Sequence, residues 1–434
     1  MDRKATPFLA AGALLVAVFV GLLLYNPERA AEGTVRKVYY ADNISPAHQR
    51  VIDRFNAEHK GSIEVVPVNL PFGKFSTNER KELLARSLRN KSDHLDVFSV
   101  DVIWVPRFSR WSEPLESLLS PQEQEEILPQ ALSSCTYGGH IVALPLYIDI
   151  GMLYYRRDLI RELPDADSVE ARLRRSISWD EFIALRRRLD LKGSPYYLFA
   201  ADNFEGLLCA YFEMIAGQNR DVFSSNAVDL TTPQAELALQ LLVDFVHRYH
   251  MSPPEVTEYD EIRSYSHMLR YGGAFVRGWP NFIEGIPGFY PYAVDTANIV
   301  RAALPHFAGQ PPVSVLGGWN LMISRSSTNK EAALTFIRYL QKEEAQKTFF
   351  EVGGYIPTNR AVYADSAFLA VRPVLAYYRM LLDRGFQRPQ LVEYTRLSDI
   401  VSHYANLAIK GEMSVHEALA RAMHVMQGEN ILQN

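Results

Sequence analysis

The sequence has 434 residues, of which 48% are hydrophobic and 22% are charged, and its formal net charge is −5 at pH 7. This composition is typical of a packed globular protein with chain enough for two or three domains, and it excludes fibrous and disordered classes. Acidic and basic residues are mixed along the chain, so no basic face indicates a nucleic-acid partner, and we expect none.

Cysteine and histidine are too few and too scattered to predict a metal centre. Only Cys135 and Cys209 occur, in unlike sequence contexts and without CxxC spacing, and the 11 His residues are dispersed. One disulfide between the two cysteines stays open at this point. We therefore expect no metal site and no cofactor.

The first 34 residues predict a signal or anchor segment. Residues 8–25 form an uncharged apolar run long enough to cross a bilayer, and Arg3 and Lys4 precede it. These charges place the N-terminus in the cytoplasm and the chain after the run outside it. Residues 31–33 fit a signal-peptidase site poorly. The pattern favours an uncleaved transmembrane anchor over a cleaved signal peptide.

Strands and helices alternate in the next part of the chain. Residues 35–40, 63–69 and 95–100 have the patterns of strands, and residues 45–59 and 81–90 carry apolar side chains at helical spacing. Alternation of this kind is typical of an α/β unit with parallel pairing.

The remainder of the chain continues this alternation with longer helices. Residues 140–146 predict a strand, and Ser178 with Glu181 predicts a capping box at the start of a helix. The charged segment 165–175 lacks a strand pattern, and we expect a solvated excursion there. Amphipathic helices are predicted for residues 235–250, 330–350 and 413–427.

Motifs of the common enzyme classes are absent from the sequence. We find no GxSxG elbow, no GxxxxGK[ST] phosphate loop, no HExxH and no Gly-rich dinucleotide turn after the first strand. This absence lowers the expectation of catalysis.

Several predicted strands end in a polar or aromatic side chain beside Gly or Pro. These segments are residues 101–104, 145–151, 278–280, 317–320 and 357–360. Ligands of open α/β sheets lie beyond the carboxyl ends of strands. Carboxylates such as Asp101 and Asp149 accept hydrogen bonds from hydroxyl groups, and Trp and Tyr rings lie against the C–H faces of sugar rings. The set therefore suits a carbohydrate.

Each of these side chains also has a structural alternative. Asp101 could cap the following turn, Asp149 could be a structural acceptor, and Trp279 or Trp319 could belong to the core. The two carboxylates could also be the acid and base of a glycoside hydrolase. Sequence spacing alone does not separate these cases.

Taken in order, these segments resemble the extracellular solute-binding proteins of ABC importers, the group that binds sugars such as maltose and trehalose. The segment "ALPLYIDIGMLYYRRDLI", residues 143–160, matches the family's Pro-x-x-x-Asp-x-Gly-x-Leu-Tyr-Tyr-Arg-x-Asp signature almost position for position. The similarity covers nearly everything from Val35 onward. The other matching segments are residues 96–120, 178–189, 272–282, 304–340 and 353–365.

The resemblance implies a two-lobed, periplasmic-binding-protein-like α/β fold of type II, with the ligand in a cleft on which the lobes close as a hinge. Residues 35–143 and about 300–325 would form one lobe. Residues 144–299 and about 326–434 would form the other.

The resemblance also implies a set of ligand-binding residues and no catalytic ones. Asp101 and Asp149 would accept sugar hydroxyl protons, and the glycines at 317 and 318 would let the sugar approach the backbone. The full expected set is Asp42, Asn43, Asp101, Tyr147, Asp149, Trp279, Gly317, Gly318, Trp319 and Arg360. In this set the three aromatic rings would stack on or wall the sugar, and the arginine would reach into the cleft.

The function implied is that of a binding protein outside the cytoplasm, not an enzyme, that delivers a sugar to the membrane subunits of an ABC permease. The family is usually released by signal cleavage or tethered by a lipid on Cys, whereas residues 8–25 predict a retained span. A membrane-anchored sugar-sensing receptor therefore stays open as an alternative. Which sugar binds is not implied, because members of one fold differ chiefly in the cleft.

Overall fold

The computed structural model of the protein describes residues 35–71, 74, 77–90, 94–223, 227–283 and 295–430. The predicted anchor or signal segment, with its apolar span 8–25, lies outside these residues. Within the described ranges, no helix combines the length and the hydropathy needed to cross a membrane.

The strands of the described chain are short to medium in length and fall into two main sheets and one small hairpin. In chain order they are β1 Arg36–Asp42, β2 Ile63–Asn69, β3 Val97–Asp101, β4 Thr136–Tyr137, β5 His140–Ile141, β6 Leu144–Ile150, β7 Met152–Arg156, β8 Tyr197–Leu198, β9 Phe275–Gly278, β10 Ile299–Ala302, β11 Ser314–Ile323 and β12 Gly385–Phe386.

The α-helices surround these sheets and dominate the C-terminal third of the chain. They are α1 Pro46–Glu58, α2 Thr77–Asn90, α3 Val105–Phe108, α4 Pro121–Glu125, α5 Pro129–Ser134, α6 Arg157–Arg161, α7 Ala166–Arg175, α8 Trp179–Leu185, α9 Glu205–Gln218, α10 Pro233–His247, α11 Glu261–Tyr271, α12 Lys330–Gln341, α13 Glu343–Gly353, α14 Arg360–Ala364, α15 Ser366–Val371, α16 Val374–Leu382, α17 Tyr394–Lys410 and α18 Val415–Asn430.

The first sheet has the order β12-β11-β3-β1-β2, with β6 also paired to β11. Strand β1 pairs in parallel with β2 and β3, as the alternation of strands and helices predicts. Strand β11 runs antiparallel to both β3 and β6. All ten residues of β11 are buried, so this strand lies in the interior of the molecule.

The second sheet has the order β10-β7-β9-β8. Strand β7 lies between β10 and β9 and is antiparallel to both, while β8 is parallel to β9. Only Gly151 separates β6 of the first sheet from β7 of the second. The chain returns between β10 and β11, and the Gly151 N–H donates to the Val315 carbonyl oxygen at 3.0 Å, which ties the two connections together.

A buried ion pair lies beside these two connections. Glu213 on α9 and Arg277 on β9 are 7% and 1% exposed, and the guanidinium Nη2 lies 3.0 Å from the carboxylate Oε1. The same oxygen accepts the Val315 N–H at 3.1 Å. A Cβ at Gly151 would lie 1.9 Å from it, so this position has room only for glycine.

Two of the C-terminal helices pack on the first sheet, and the last two pack beside the second. Phe336 of α12 lies against Tyr40 of β1 with ring centroids 5.4 Å apart, and α13 packs against α1. Asn406 of α17 donates to the Ala201 carbonyl oxygen at 2.7 Å. The predicted lobes stay a prediction, and these contacts favour moving the boundary at about 326 to a point beyond α13.

The charged segment 165–175 is not the predicted solvated excursion but largely the helix α7. Its Val169 and Leu173 are fully buried on one face. Glu170 on the same helix accepts from Arg157 and Arg161, so the charges are satisfied by ion pairs across to α6. With Ala166, which is also buried, these residues form the apolar stripe by which an otherwise charged helix packs on the rest of the protein.

We expect the substitution Gly151→Ala to lower the free energy of unfolding by about 3 kcal/mol, because the new methyl group displaces a carboxylate from a buried ion pair. Urea unfolding of the purified full-length protein measures this. Gly428→Ala on α18 is the matched control, since a Cβ there meets nothing within 4 Å. Equal unfolding midpoints for the two variants would contradict the role given to Gly151.

Candidate ligand-binding cleft

A cleft of about 280 Å³ opens between residues carried by the two sheets. Seven of the ten predicted residues line it: Asp101, Tyr147, Asp149, Trp279, Gly317, Gly318 and Trp319. The other lining residues are not predicted from the sequence, and they are Phe204, Glu205, Gly206, Cys209, Asp260, Glu261, Ile262, Tyr265, Asn281 and Arg388.

The first-sheet wall of the cleft is built by β6 and β11. Their register places Asp149 opposite Gly317 and Tyr147 opposite Trp319, with a register shift after Trp319. Gly318 has φ +129°, and a Cβ there would lie 2.4 Å from the Tyr147 carbonyl oxygen. Only glycine is unstrained in this conformation, so the backbone itself requires it.

Asp149 is a buried carboxylate of the cleft whose hydrogen bonding is incomplete. Its side chain is 9% exposed, and its Oδ1 has no hydrogen-bond partner among the described residues. Burial, reinforced by the negative charge of Asp101, raises the pKa of the Asp149 carboxyl to about 7. The group is therefore an acceptor without a donor.

Asp101, Arg388 and Glu205 form a connected set of charged side chains in the cleft lining. As one structural alternative predicts, Asp101 caps the turn after β3, because its Oδ1 accepts the Ile103 N–H at 3.1 Å. Arg388 lies 3.8 Å from the same oxygen and donates to Glu205 at the start of α9. Burial raises the pKa of both carboxyls, and the Arg388 charge opposes that rise.

Trp279 forms the second-sheet wall and is held on three sides. Its indole Nε1 donates to Glu261 Oε1 at 3.3 Å, and its backbone N–H donates to the Tyr265 hydroxyl at 2.9 Å. The Arg277 guanidinium lies 4.3 Å from the ring centre. A Cβ at Gly317 would lie 3.0 Å from the ring, so this glycine makes room for Trp279.

Trp319 and Tyr147 line the cleft but are mostly buried in the core. Each is 7% exposed. The Trp319 ring packs edge-on against Trp104 at 5.3 Å and beneath the Arg80 guanidinium at 4.3 Å. Tyr147 lies against Tyr355, with ring centroids 4.4 Å apart.

The structure places the other three predicted residues outside the cleft lining. Asp42 is buried, where it contacts Arg80 at 3.2 Å and His48 at 3.4 Å. Burial acts to raise the pKa of its carboxyl, but the hydrogen bond and charge of His48 and the charge of Arg80 outweigh it, and the pKa falls to about 2. Asp42 thus supports Arg80 behind Trp319 instead of facing the cleft.

Asn43 and Arg360 also lie elsewhere. The Asn43 N–H donates to Asp42 Oδ1 at 2.6 Å, which turns the chain away from β1. Arg360 opens α14, and its Nε donates to the Ile127 carbonyl oxygen at 3.1 Å. Its side chain is committed to a neighbouring backbone, so it does not reach into the cleft as expected.

Among the missed residues, only those at one helix start carried a usable sequence signal. Asp260 caps α11 by accepting the Arg263 N–H at 2.7 Å, and an Asp before an apolar-periodic stretch predicts such a cap. Arg388 follows a two-residue strand, and nothing in its neighbourhood indicates that it meets Asp101. That meeting depends on the tertiary fold.

The described residues contain neither a candidate metal site nor a disulfide. No group of three or more His, Cys, Asp or Glu side chains among those residues could hold a metal ion. Cys135 and Cys209 are separate buried thiols, so the disulfide left open by the sequence is not formed.

Residues 41–347 match the family model described as bacterial extracellular solute-binding protein. The chain belongs to this family. It is 27% identical over 365 residues, 81% of this chain and 83% of the relative, to a Deinococcus radiodurans protein described as "Probable ABC transporter-binding protein". The resemblance stated from the sequence is confirmed.

Solved structures agree with this assignment. Maltose-bound MalE3 of T. maritima is 26% identical with a TM-score of 0.80, and the match covers 91% of this chain and 99% of that one. A solute-binding protein of Thermotoga lettingae bound with alpha-D-tagatose is 23% identical with a TM-score of 0.75, over 90% and 98% of the two chains. The second likeness shows the fold alone. Together the two structures confirm the predicted periplasmic-binding-protein-like α/β fold.

We expect Asp149→Asn to stabilise the ligand-free protein at about pH 8. The folded-state pKa of about 7 lies above the ordinary value of 3.8, so wild-type stability is lost as the pH rises between these values. The side-chain amide of the variant does not ionise, so the variant does not lose stability in this way as the pH rises. Thermal unfolding at several pH values measures the difference, which should shrink towards about pH 4.

Asp190→Asn, at an exposed position, is the control and should not change the melting temperature. A melting temperature of Asp149→Asn below that of wild type at every pH would instead make Asp149 a structural acceptor.

Proposed function

We propose that the protein is the sugar-binding component of an ABC importer, which captures a mono- or oligosaccharide between two lobes and delivers it to a permease. The observation that carries this proposal is the buried Oδ1 of Asp149, which has no donor among the described residues and lies in a cleft walled by Trp279. A sugar suits both features. Its hydroxyl groups donate hydrogen bonds to a carboxylate, and its C–H face packs on an indole.

The wider site supports the same ligand class. Carboxylates from β3, β6, α9 and the start of α11 line the cleft together with aromatic rings and the glycines of β11. Small-molecule sites are commonly apolar with a few placed polar groups. The family relationship adds support, because the T. maritima relative is described as maltose-bound.

Closure of two lobes on the ligand is part of this proposal. The cleft is lined from both sheets, and the described chain passes between those sheets beside it at Gly151 and again before Val315. Hinge closure around a ligand is typical when a few strand-end residues connect two bodies.

Binding without chemistry is favoured over hydrolysis. The solute-binding family is a binding-protein family, and Oδ1 of Asp101 is already engaged by the Ile103 N–H and faces Arg388. Incubation of candidate oligosaccharides with the protein should release no shorter products. Products that disappear in Asp149→Asn would support a glycoside hydrolase instead.

On sequence grounds we also propose that residues 8–25 hold the protein to the cytoplasmic membrane, with the cleft outside the cytoplasm. The family description as extracellular supports the location. Membrane fractionation followed by N-terminal sequencing tests the anchor. Recovery of a soluble chain that begins near residue 34 would contradict it.

Co-purification with a histidine kinase and not with permease subunits would favour the sensing alternative.

Isothermal titration over a panel of mono- and oligosaccharides tests the central proposal. We expect Trp279→Ala to weaken binding of the best sugar by about 1–3 kcal/mol, because a stacking surface is lost. Trp111→Ala is the matched control, since this half-buried ring lies outside the cleft. Absence of heat for every sugar would refute the proposal.

Sugar affinity should depend on pH through Asp149. Above its pKa of about 7 the carboxylate accepts from sugar hydroxyls, and below it one oxygen is protonated. We therefore expect weaker binding at about pH 5.5 than at about pH 8 for wild type, and a flatter profile for Asp149→Asn. A profile that is the same in both proteins would exclude Asp149 from ligand contact.

A further inference from the structure

We propose that the saccharide carries a protonated amine, so that the natural ligand is an amino sugar or an oligosaccharide that contains one. This inference rests on the proposed sugar-binding function and narrows it. The observation behind it is the charge balance of the cleft lining, together with the unpartnered oxygen of Asp149.

The cleft lining is strongly acidic. Five carboxylates line it, against the single guanidinium of Arg388. That guanidinium is shared, because it donates to Glu205 and lies 3.8 Å from Asp101. Its charge is thus already divided between two carboxylates.

The other cations near the cleft are committed to carboxylates of their own. Arg277, behind the Trp279 ring, pairs with Glu213 at 3.0 Å. Arg80, behind the Trp319 ring, pairs with Asp42 at 3.2 Å. The charge of Arg277 also acts on Glu261 and that of Arg80 on Asp101, and each opposes the rise in the pKa of that carboxyl that burial causes.

Three carboxylates of the lining therefore have no ion-pair partner within the described residues. Asp260 accepts only a backbone N–H, and Glu261 accepts the Trp279 indole N–H. Asp149 is nine-tenths buried, its Oδ1 has no partner, and it faces the like charge of Asp101. A buried carboxylate is stable as an ion only when it is paired.

A protonated amine on the ligand supplies the missing charge. An ammonium group donates three hydrogen bonds and cancels one negative charge, whereas a hydroxyl group donates one and cancels none. The same charge balance disfavours uronates and sugar phosphates, because an anion would meet five carboxylates.

Titration of the purified full-length protein with matched sugars tests the inference, in an amine-free buffer at about pH 7, so that the ligand amine is still protonated while the Asp149 carboxyl is able to ionise. The pairs are cellobiose with the β-1,4-linked glucosamine disaccharide, and trehalose with 2-amino-2-deoxytrehalose. The N,N′-diacetylated disaccharide controls for bulk at the amine, and a galacturonate disaccharide represents the anions.

We expect the amino member of at least one pair to bind about tenfold or more tighter than its neutral partner, and the galacturonate not to bind. Asp149→Asn should reduce that preference to about twofold while Asp190→Asn keeps it. A melting curve like that of wild type shows that the variant is folded.

Neutral sugars that bind as tightly as their amino partners would overturn the inference and leave the proposed function intact. A preference for the amine that survives in Asp149→Asn would also overturn it, because the pairing would lie elsewhere. Absence of binding by every sugar would overturn both the inference and the proposed function.

Discussion

The buried pair of Glu213 and Arg277 is the interaction on which the cleft depends. Its carboxylate fills the space at Gly151, where the chain leaves the first sheet, and accepts the Val315 N–H, where the chain returns. Its guanidinium lies against Trp279, the wall of the cleft. Burying two charges is costly unless their hydrogen bonds are well satisfied. Here a strand N–H adds to the bonds between the pair on the carboxylate side, while Nη1 of Arg277 has no hydrogen-bond partner among the described residues. The geometry of the connections and the position of the ligand wall are thus set by one pair of side chains.

The arrangement of charges in the cleft destabilises the folded, ligand-free protein. Asp149 and Asp101 bring like charges together in a buried place, and for Asp149 the described structure gives no compensating donor. A group of this kind lowers the stability of the ligand-free protein, and a ligand that donates to it restores the loss. Destabilising arrangements of this kind are expected at functional sites, because the residues there are selected for ligand binding and not for the stability of the ligand-free protein.

The sequence predicted the fold and the strand-end residues better than it predicted which of them face the cleft. Strand alternation gave the parallel pairs of β1 with β2 and β3, and Ser178 with Glu181 forms the predicted capping box. Asp42 also ends a strand, but its side chain packs under Arg80, and strand ends do not show on which side of a sheet a residue lies. Arg388 could not be predicted, since its partners are 287 and 183 residues away in sequence and only the folded chain unites them.

The two adjacent glycines of β11 show why a correct residue can be predicted for an incomplete reason. Their sequence pattern indicates that something approaches the strand closely, and the structure supplies two such neighbours from the protein itself. At Gly318 the neighbour is the Tyr147 carbonyl oxygen, and at Gly317 it is the Trp279 ring, which belongs to the other side of the cleft. Gly317 is therefore a point where the first-sheet backbone meets a side chain held by the second sheet. A side chain at this position would push back the wall against which the ligand is expected to pack, so the glycine sets the width of the cleft before any ligand enters it.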